Sequence, residues 1–161
     1  MKKIGVFTGS FNPFTKGHLD ILEQAEVVFD EVIVAIGTNP GKKTYINRVS
    51  MIKLQLPGRR IEEFKGFLVD YIHELKNEGE IFIVRGLRNS FDLLYEINTL
   101  RTLEDMSPDV KSAFFVCNRK YEHISSSMVK SLESIQKGSG SEYLAKCSKF
   151  KSSGVPLVEK D

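Results

Sequence analysis

The sequence predicts an α/β fold in which a five-stranded parallel sheet carries helices on both faces. Short apolar runs, mostly without alternation of polar and apolar residues, indicate strands that are buried on both sides. These runs alternate with stretches whose apolar residues recur at helical spacing, as in parallel sheets with crossover helices. At 161 residues, 41% of them hydrophobic and 27% charged, the chain has the length and composition of about one folded domain.

The predicted strands and helices follow one another in strict alternation. The strands are expected at residues 4–7, 32–36, 61–64, 81–84 and 113–116. The helices are expected at residues 17–29, 48–56, 68–77, 91–106 and 126–136. Pro57 and Gly58 end the second helix. We therefore expect one domain, with its main part at residues 1–136 and a peripheral C-terminal segment at residues 137–161.

Charge, hydropathy and cysteine content exclude several classes of protein. The formal net charge of +2 gives no broad electrostatic attraction to nucleic acid. No apolar run approaches the roughly 18 residues of a membrane helix, and no signal-peptide pattern is visible. Cys117 and Cys147 are expected to be ordinary thiols, and the three histidines are too scattered for a structural zinc site. These features predict a cytoplasmic protein without a membrane or nucleic-acid partner.

Unusual polar and basic residues follow four of the five predicted strands. The stretches at residues 8–18, 37–43, 85–88 and 118–127 combine cations, hydroxyls and glycines. In an open parallel sheet, ligands bind beyond the carboxyl ends of the strands, so these loops are expected to converge. Their residue types suit a polyanionic ligand such as a nucleoside triphosphate.

Histidine and arginine residues stand where the predicted helices begin. Thr15 is predicted to cap the first helix, which puts Gly17 and His18 in a first turn that favours an anion. A lone histidine there is otherwise a surface residue. Arg85 and Arg88 lie near the start of the fourth helix, where the helix dipole disfavours cations. That position favours an anionic partner for both arginines.

For the remaining polar candidates, two interpretations stay open. Asp92 and Glu96 either hold the arginines or reach a ribose or a metal. Lys42 and Lys43 form either an exposed basic turn or a phosphate contact. Among the serines at 125–127, one hydroxyl suffices to cap the fifth helix, which leaves the others to donate to a phosphate.

Two sequence motifs resemble the signatures of the nucleotidylyltransferase superfamily. Residues 9–13, GSFNP, followed by Gly17 and His18, are similar to its first signature. Residues 124–127, ISSS, are similar to its second signature. The spacing between the two motifs also agrees with that superfamily.

Further motifs resemble one branch of the superfamily, the pantetheine-phosphate adenylyltransferases. Residues 85–88 read RGLR, and residues 40–43 and 66–71 are also similar to that branch. The order of the motifs holds over residues 1–136. The resemblance implies a Rossmann-like, doubly wound fold and the transfer of adenylyl from ATP to 4′-phosphopantetheine, giving dephospho-coenzyme A and pyrophosphate. It also implies Mg²⁺ carried by ATP, and a homo-oligomer, commonly a hexamer.

Carried over by position, the resemblance implies a role for each of several residues. The catalytic ones are His18, which stabilises the transition state, Lys42 and Arg88. The ATP-binding ones are Ser10, Phe11, His18, Gly86, Leu87, Arg88, Glu96, Tyr121, Glu122, His123, Ile124, Ser125, Ser126 and Ser127. The phosphopantetheine-binding ones are Ser10, Lys42, Leu68 and Arg85. No protein side chain is implied as a metal ligand.

The chain departs from the family pattern at several positions. The residues before the first signature are Phe7 and Thr8, where the family often has tyrosine and proline, and Asn12 replaces the usual aspartate. Leu103 and Glu104 stand where an asparagine–arginine pair is common. The segment after the 40–43 motif is also shorter than in the family.

Other functions fit parts of the sequence. A nicotinamide-mononucleotide adenylyltransferase fits GSFNP but fits RGLR poorly. A cytidylyltransferase typically reads RTxGIST in place of ISSS. A nucleotide-binding sensor without turnover would not need His18, Lys42 and the serines at 125–127 together.

Overall fold

The computed structural model of the protein describes residues 1–146 and has the predicted α/β architecture. Its strands are β1 Lys3–Gly9, β2 Glu31–Gly37, β3 Arg60–Phe64, β4 Glu80–Leu87 and β5 Ser112–Val116. Its helices are α1 Lys16–Val28, α2 Arg48–Gln55, α3 Leu68–Leu75, α4 Ser90–Met106 and α5 Ser126–Ile135. Every predicted strand and helix is confirmed, with ends that shift by a few residues. None of the helices in this part of the chain has the length and apolarity of a membrane span.

The sheet has the strand order β3-β2-β1-β4-β5, and every adjacent pair is parallel. The chain moves outward from β1 to β3 and then restarts beside β1 with β4. The two halves therefore diverge at the carboxyl ends of β1 and β4. Such a switch point is where open α/β sheets bind their ligands.

Helices cover both faces of the sheet, as β2 shows by its alternating side chains. Val34 lies in one buried cluster with Leu22 of α1 and Ile52 of α2. Ile33 lies in a second cluster with Tyr71 of α3. Because both faces of β2 are buried, its sequence is a continuous apolar run rather than an alternating one.

The connection from β1 to α1 is anchored in the core by aromatic rings. Phe11 and Phe14 are almost fully buried, and their ring centroids are 5.1 Å apart. The Phe11 ring also meets Phe7 edge to face, at 4.9 Å. This packing holds Phe11 at a φ of 43°, a left-handed conformation that is uncommon for a residue with a side chain. The loop is therefore a fixed part of the scaffold.

The chain after α5 returns to the start of α1. A short 3₁₀ helix, Ser141–Tyr143, leads to Leu144 and Ala145, which are both buried. Leu144 forms an antiparallel bridge with Thr15. The rest of the predicted peripheral segment, residues 147–161 with Cys147, lies outside the described residues. The boundary at residue 136 stays a prediction.

Candidate active site

A cavity of about 330 Å³ lies at the carboxyl ends of β1 and β4. Its walls come from the β1–α1 loop, the first turn of α1, the end of β4 and the first turn of α5. The structure thus brings three of the four polar stretches of the sequence to one rim. The residues of the proposed site that line it are Ser10, Phe11, His18, Arg85, Gly86, Leu87, Arg88, Glu96, Ile124, Ser125, Ser126 and Ser127.

His18 is fixed in one tautomer by the cap of α1. Thr15 is the N-cap, as predicted, and its backbone N–H donates to Nδ1 of His18 over 3.0 Å. Because a backbone N–H can only donate, Nδ1 carries no proton, and the neutral ring holds its proton on Nε2. The ring packs against two phenylalanines: its centroid lies 5.1 Å from that of Phe11 and 5.3 Å from that of Phe14. Nε2–H is therefore the ring's remaining hydrogen-bond donor.

The electrostatic surroundings keep His18 neutral. Burial, followed by the positive charges of Arg85 and Arg88, lowers its pKa to about 3 from an ordinary 6.5. At neutral pH the imidazole is therefore uncharged. In the site without a ligand it can act as a directed hydrogen-bond donor through Nε2–H, the kind of group that binds a phosphate oxygen.

Two acidic side chains of α4 orient the two arginines. Arg85 makes paired hydrogen bonds to the Glu96 carboxylate, at 2.9 and 2.7 Å, and Nη1 donates to the Thr8 carbonyl. Arg88 binds Asp92 in the same manner, at 3.0 and 3.2 Å. Of the two interpretations left open by the sequence, the structure shows that these carboxylates hold the arginines. Arg85 lies within β4 rather than at a helix start.

The Arg88–Asp92 pair still leaves capacity for an anion. Burial favours the neutral form of Asp92, but hydrogen bonds from Arg88 outweigh it and hold the pKa of that carboxyl below its ordinary value. Nη1 of Arg88 makes no hydrogen bond within residues 1–146. A ligand phosphate can therefore bind Arg88 without displacing Asp92.

The first turns of α1 and α5 both border the cavity. Free N–H groups at such ends, together with the helix dipole, favour phosphate. Ser125 caps α5 by accepting a hydrogen bond from the N–H of Met128 over 3.0 Å. Ser126 donates to the carbonyl of Pro13 over 2.8 Å and so joins α5 to the β1–α1 loop. Ser127 is the one of the three whose hydroxyl has no hydrogen bond in the described part of the chain.

The other predicted ATP-binding residues lie beside the cavity rather than in its wall. The connection between β5 and α5 contains Tyr121, Glu122 and His123. The ring of His123 meets that of Tyr143 edge to face, with a distance of 6.3 Å between the ring centroids. The carbonyl of Tyr121 approaches α1 so closely that a Cβ on Gly17 would stand 3.8 Å from it. This connection therefore packs against the helix that carries His18.

A second cavity, of about 230 Å³, adjoins the first. The two share Thr8, Arg85, Tyr95 and Glu96. The rest of its wall is mainly apolar and consists of Leu68, Ile83, Thr99, Leu100, Leu103, Ser112 and Phe114. The Arg85–Glu96 pair thus stands where the two cavities meet.

Two of the predicted acceptor residues lie away from the first cavity. Leu68 lines the second cavity. Lys42 is exposed in the β2–α2 connection and lines neither cavity. Of the two departures in α4, Leu103 lines the second cavity, whereas Glu104 accepts a hydrogen bond from Arg101 over 2.7 Å.

The sequence interpretation missed Arg48, which is 5% exposed. Its guanidinium donates to the carbonyls of Ser10, at 2.8 Å, and Gly37, at 3.3 Å, and burial lowers its pKa. A signal was present: the buried positions of α2 are Arg48, Met51, Ile52 and Gln55, spaced as one helical face. An arginine and a glutamine on an otherwise apolar face indicate buried polar groups with backbone partners.

The chain is similar to known nucleotidyltransferases over most of its length. The cytidylyltransferase-like family matches residues 6–132. A phosphopantetheine adenylyltransferase from Heliobacterium modesticaldum is 40% identical over 147 residues, covering 88% of this chain and 85% of that protein. One from Geobacter sulfurreducens is 39% identical over 139 residues, covering 83% of each chain.

Solved structures show the same fold at lower identity. A bifunctional NMN adenylyltransferase/ADP ribose pyrophosphatase from Francisella tularensis, complexed with AMP and a manganese ion, has a TM-score of 0.63. It is 22% identical and covers 91% of this chain and 45% of its own. A putative nicotinate-nucleotide adenylyltransferase from Vibrio parahaemolyticus has a TM-score of 0.59 at 18% identity, covering 87% and 86%.

Proposed function

The chain belongs to the phosphopantetheine adenylyltransferase family, and from this premise we propose how its two adjoining cavities divide the two substrates. The enzyme transfers the adenylyl group of ATP to 4′-phosphopantetheine, a step of coenzyme A biosynthesis that yields dephospho-coenzyme A and pyrophosphate. ATP occupies the first cavity and the acceptor arm the second. The observation that carries this division is the shared wall, because Arg85 borders both cavities.

In this proposal the first cavity binds ATP through groups that recognise anions. Arg88 and the first turn of α5 hold the β- and γ-phosphates, and Nε2–H of His18 donates to an oxygen of the α-phosphate. The other contacts come from Ser10, Phe11, Gly86, Leu87, Glu96 and residues 121–127. Mg²⁺ arrives as part of the MgATP substrate. Within residues 1–146, no cluster of three or more His, Cys, Asp or Glu side chains could hold a metal ion.

The acceptor phosphate lies beside Arg85 at the junction of the cavities, where Ser10 contacts it from the wall of the first cavity. Lys42, which lines neither cavity, contacts it from the exposed β2–α2 connection, and the pantetheine arm lies along Leu68. A phosphomonoester has a second pKa of about 6, so it is already a nucleophile at neutral pH and needs no general base. One of its oxygens attacks the α-phosphorus in line, and the bond to the β-phosphate oxygen breaks on the opposite side. Such transfers depend on positioning and charge stabilisation, which these residues supply.

Direct attack predicts one stereochemical result. With ATP made chiral at the α-phosphorus by sulfur substitution, the dephospho-coenzyme A analogue should carry inverted configuration at phosphorus. Retention would show two displacements through a covalent enzyme intermediate and would contradict direct transfer.

The substrate assignment is tested by pyrophosphate release from MgATP with each acceptor in turn. Release should require 4′-phosphopantetheine. Release with nicotinamide mononucleotide alone would assign the chain to the rival adenylyltransferase reaction. Nucleotide binding without release with either acceptor would favour a sensor.

We place the reaction in the cytoplasm, where ATP is available and the Cys117 thiol stays reduced.

The exposed face of α4 supports a homo-oligomer, which we propose to be a hexamer. Phe91 is 82% exposed and Leu94 is 62% exposed, and both belong to this helix. Apolar surface of this kind marks interaction sites. Light scattering should give a mass near six chains, and Phe91→Glu should lower it. A monomer at micromolar concentration would contradict the proposal.

A further inference from the structure

We propose that Asn12 is a positioning residue for the acceptor phosphate, because its side-chain amide fixes the β2–α2 connection that carries Lys42. This inference rests on the proposed role of Lys42. Asn12 touches neither substrate in this scheme and acts through the loop. It lies two residues after Ser10, so one short segment would supply one phosphate contact directly and place a second.

Asn12 joins two loops that are far apart in sequence. Its side chain is 3% exposed. Oδ1 accepts a hydrogen bond from the N–H of Tyr45 over 2.8 Å, and Nδ2 donates to the carbonyl of Lys43 over 3.1 Å. The orientation of the amide follows from its partners, since an N–H can only donate and a carbonyl can only accept. Both bonds fall within three residues of Lys42.

Other hydrogen bonds of the connection lie within its turn and at its base. Within the turn, Gly41 donates to Oδ1 of Asn39 over 2.9 Å, and Lys42 donates to the Asn39 carbonyl over 3.1 Å. At the base of the connection, Arg48 ties the carbonyls of Ser10 and Gly37 together. The base is thereby fixed to Ser10, and Asn12 fixes the far end.

The family usually has an aspartate at this position, followed by a longer segment after the 40–43 motif. In the shorter segment of this chain, the partners of Asn12 suit an amide better than a carboxylate. The two backbone partners are one donor and one acceptor, which is the pair that an asparagine side chain matches. An aspartate would keep the bond from the Tyr45 N–H but would set a carboxylate oxygen against the Lys43 carbonyl. A buried acceptor left facing another acceptor is unfavourable, so the loop should detach at Lys43.

The test measures substrate KM values for Asn12→Asp, Lys42→Ala and the double variant. Asn12→Asp should raise the KM for 4′-phosphopantetheine about tenfold, the scale of one lost buried hydrogen bond, and leave the KM for ATP within about twofold. In the Lys42→Ala background, the same change should add less than about twofold, because the amide acts through Lys42. A purely structural defect would raise both KM values.

Asn39→Asp is the matched control. It adds the same charge to the β2–α2 connection, the loop that Asn12 holds. The side chain of Asn39 accepts a hydrogen bond through its oxygen, which a carboxylate can also do, so the KM for phosphopantetheine should stay within about twofold. If Asn12→Asp fails to fold, Asn12→Ala removes both bonds without a charge and should give the same split between the two KM values.

Each outcome decides a separate claim. If Lys42→Ala leaves the acceptor KM unchanged, the proposed role of Lys42 fails, and the inference fails with it. If Lys42→Ala raises that KM but neither variant of Asn12 does, the inference alone fails. An equal effect of Asn39→Asp, or full additivity in the double variant, would also overturn the positioning role of Asn12.

Discussion

The properties of His18 come from its neighbours rather than from the imidazole alone. Thr15 fixes the tautomer, and burial beside Arg85 and Arg88 removes the charge. A neutral donor of fixed direction stabilises negative charge on a phosphate oxygen without binding ground-state anions strongly. The same residue type elsewhere in the chain lacks this setting: His73 contacts the Ser107 hydroxyl at 3.0 Å, away from both sheet-end cavities.

Replacing His18 by alanine should separate binding from turnover. ATP affinity should stay near the wild-type value, whereas kcat should fall by about 10²–10³, the scale for losing one transition-state donor. Calorimetric titration with ATP and steady-state rates measure the two quantities. His73→Ala serves as the control, with unchanged kcat. Near-normal turnover in His18→Ala would remove the residue from the reaction.

The lowered pKa of His18 also predicts a dependence of stability on pH. The pKa of His18 is about 3 in the folded protein, against an ordinary 6.5. Between these pH values, the unfolded chain therefore binds a proton at His18 that the folded chain does not bind. This contribution is therefore complete above pH 6.5 and is lost as the pH falls toward 3. Between pH 7 and 5, wild type should lose about 1–2 kcal/mol more than His18→Gln in urea unfolding. Equal losses would contradict a partly buried, neutral His18.

At the level of elements, the sequence could predict the strands and helices because each is short and strongly patterned. It could not decide between pairing and ligand contact for Asp92 and Glu96, since both outcomes need the same helical spacing. The tautomer of His18 depends on the backbone of Thr15, and the buried position of Arg48 depends on two distant carbonyls. Such properties arise from tertiary contacts that no local pattern encodes.

The fit of α1 against β4 depends on the absence of a side chain at Gly86. A Cβ there would stand 2.6 Å from Cγ1 of Ile21. Gly86→Ala should therefore lower the free energy of unfolding by about 1–3 kcal/mol, as overpacking does, and displace the helix that carries His18. Urea unfolding measures the loss, and the same change should cost less in an Ile21→Ala background, where the close contact is absent. An unchanged stability of Gly86→Ala would contradict this close contact.

At the level of the whole molecule, the segment after α5 helps to hold the β1–α1 loop, which borders the proposed site. Nε2 of Gln55 donates to the carbonyls of Phe14, at 3.1 Å, and Ala145, at 2.8 Å. The β1–α1 loop, α2 and the C-terminal segment thus meet at one buried amide. The arrangement links distant parts of the chain to the cap that orients His18.

Gln55→Met tests this link with little change in side-chain volume. It removes the Gln55 donor from both carbonyls, and the Phe14 carbonyl keeps only the N–H of Ala145, at 3.3 Å. The free energy of unfolding should therefore fall by about 1–3 kcal/mol. Thermal or urea unfolding measures the loss, and Gln24→Met, at a partly exposed amide, should cost less. Equal losses for the two variants would show that Gln55 is not a central contact.

The convergence of the ends of β1, β4, α1 and α5 on one triphosphate is tested most directly by a crystal structure with MgATP's α,β-methylene analogue. The nucleotide should occupy the cavity between β1 and β4, with Nε2 of His18 within hydrogen-bond distance of an α-phosphate oxygen and Arg88 on the β- or γ-phosphate. A nucleotide bound elsewhere, or an α-phosphate out of reach of His18, would contradict the proposed site.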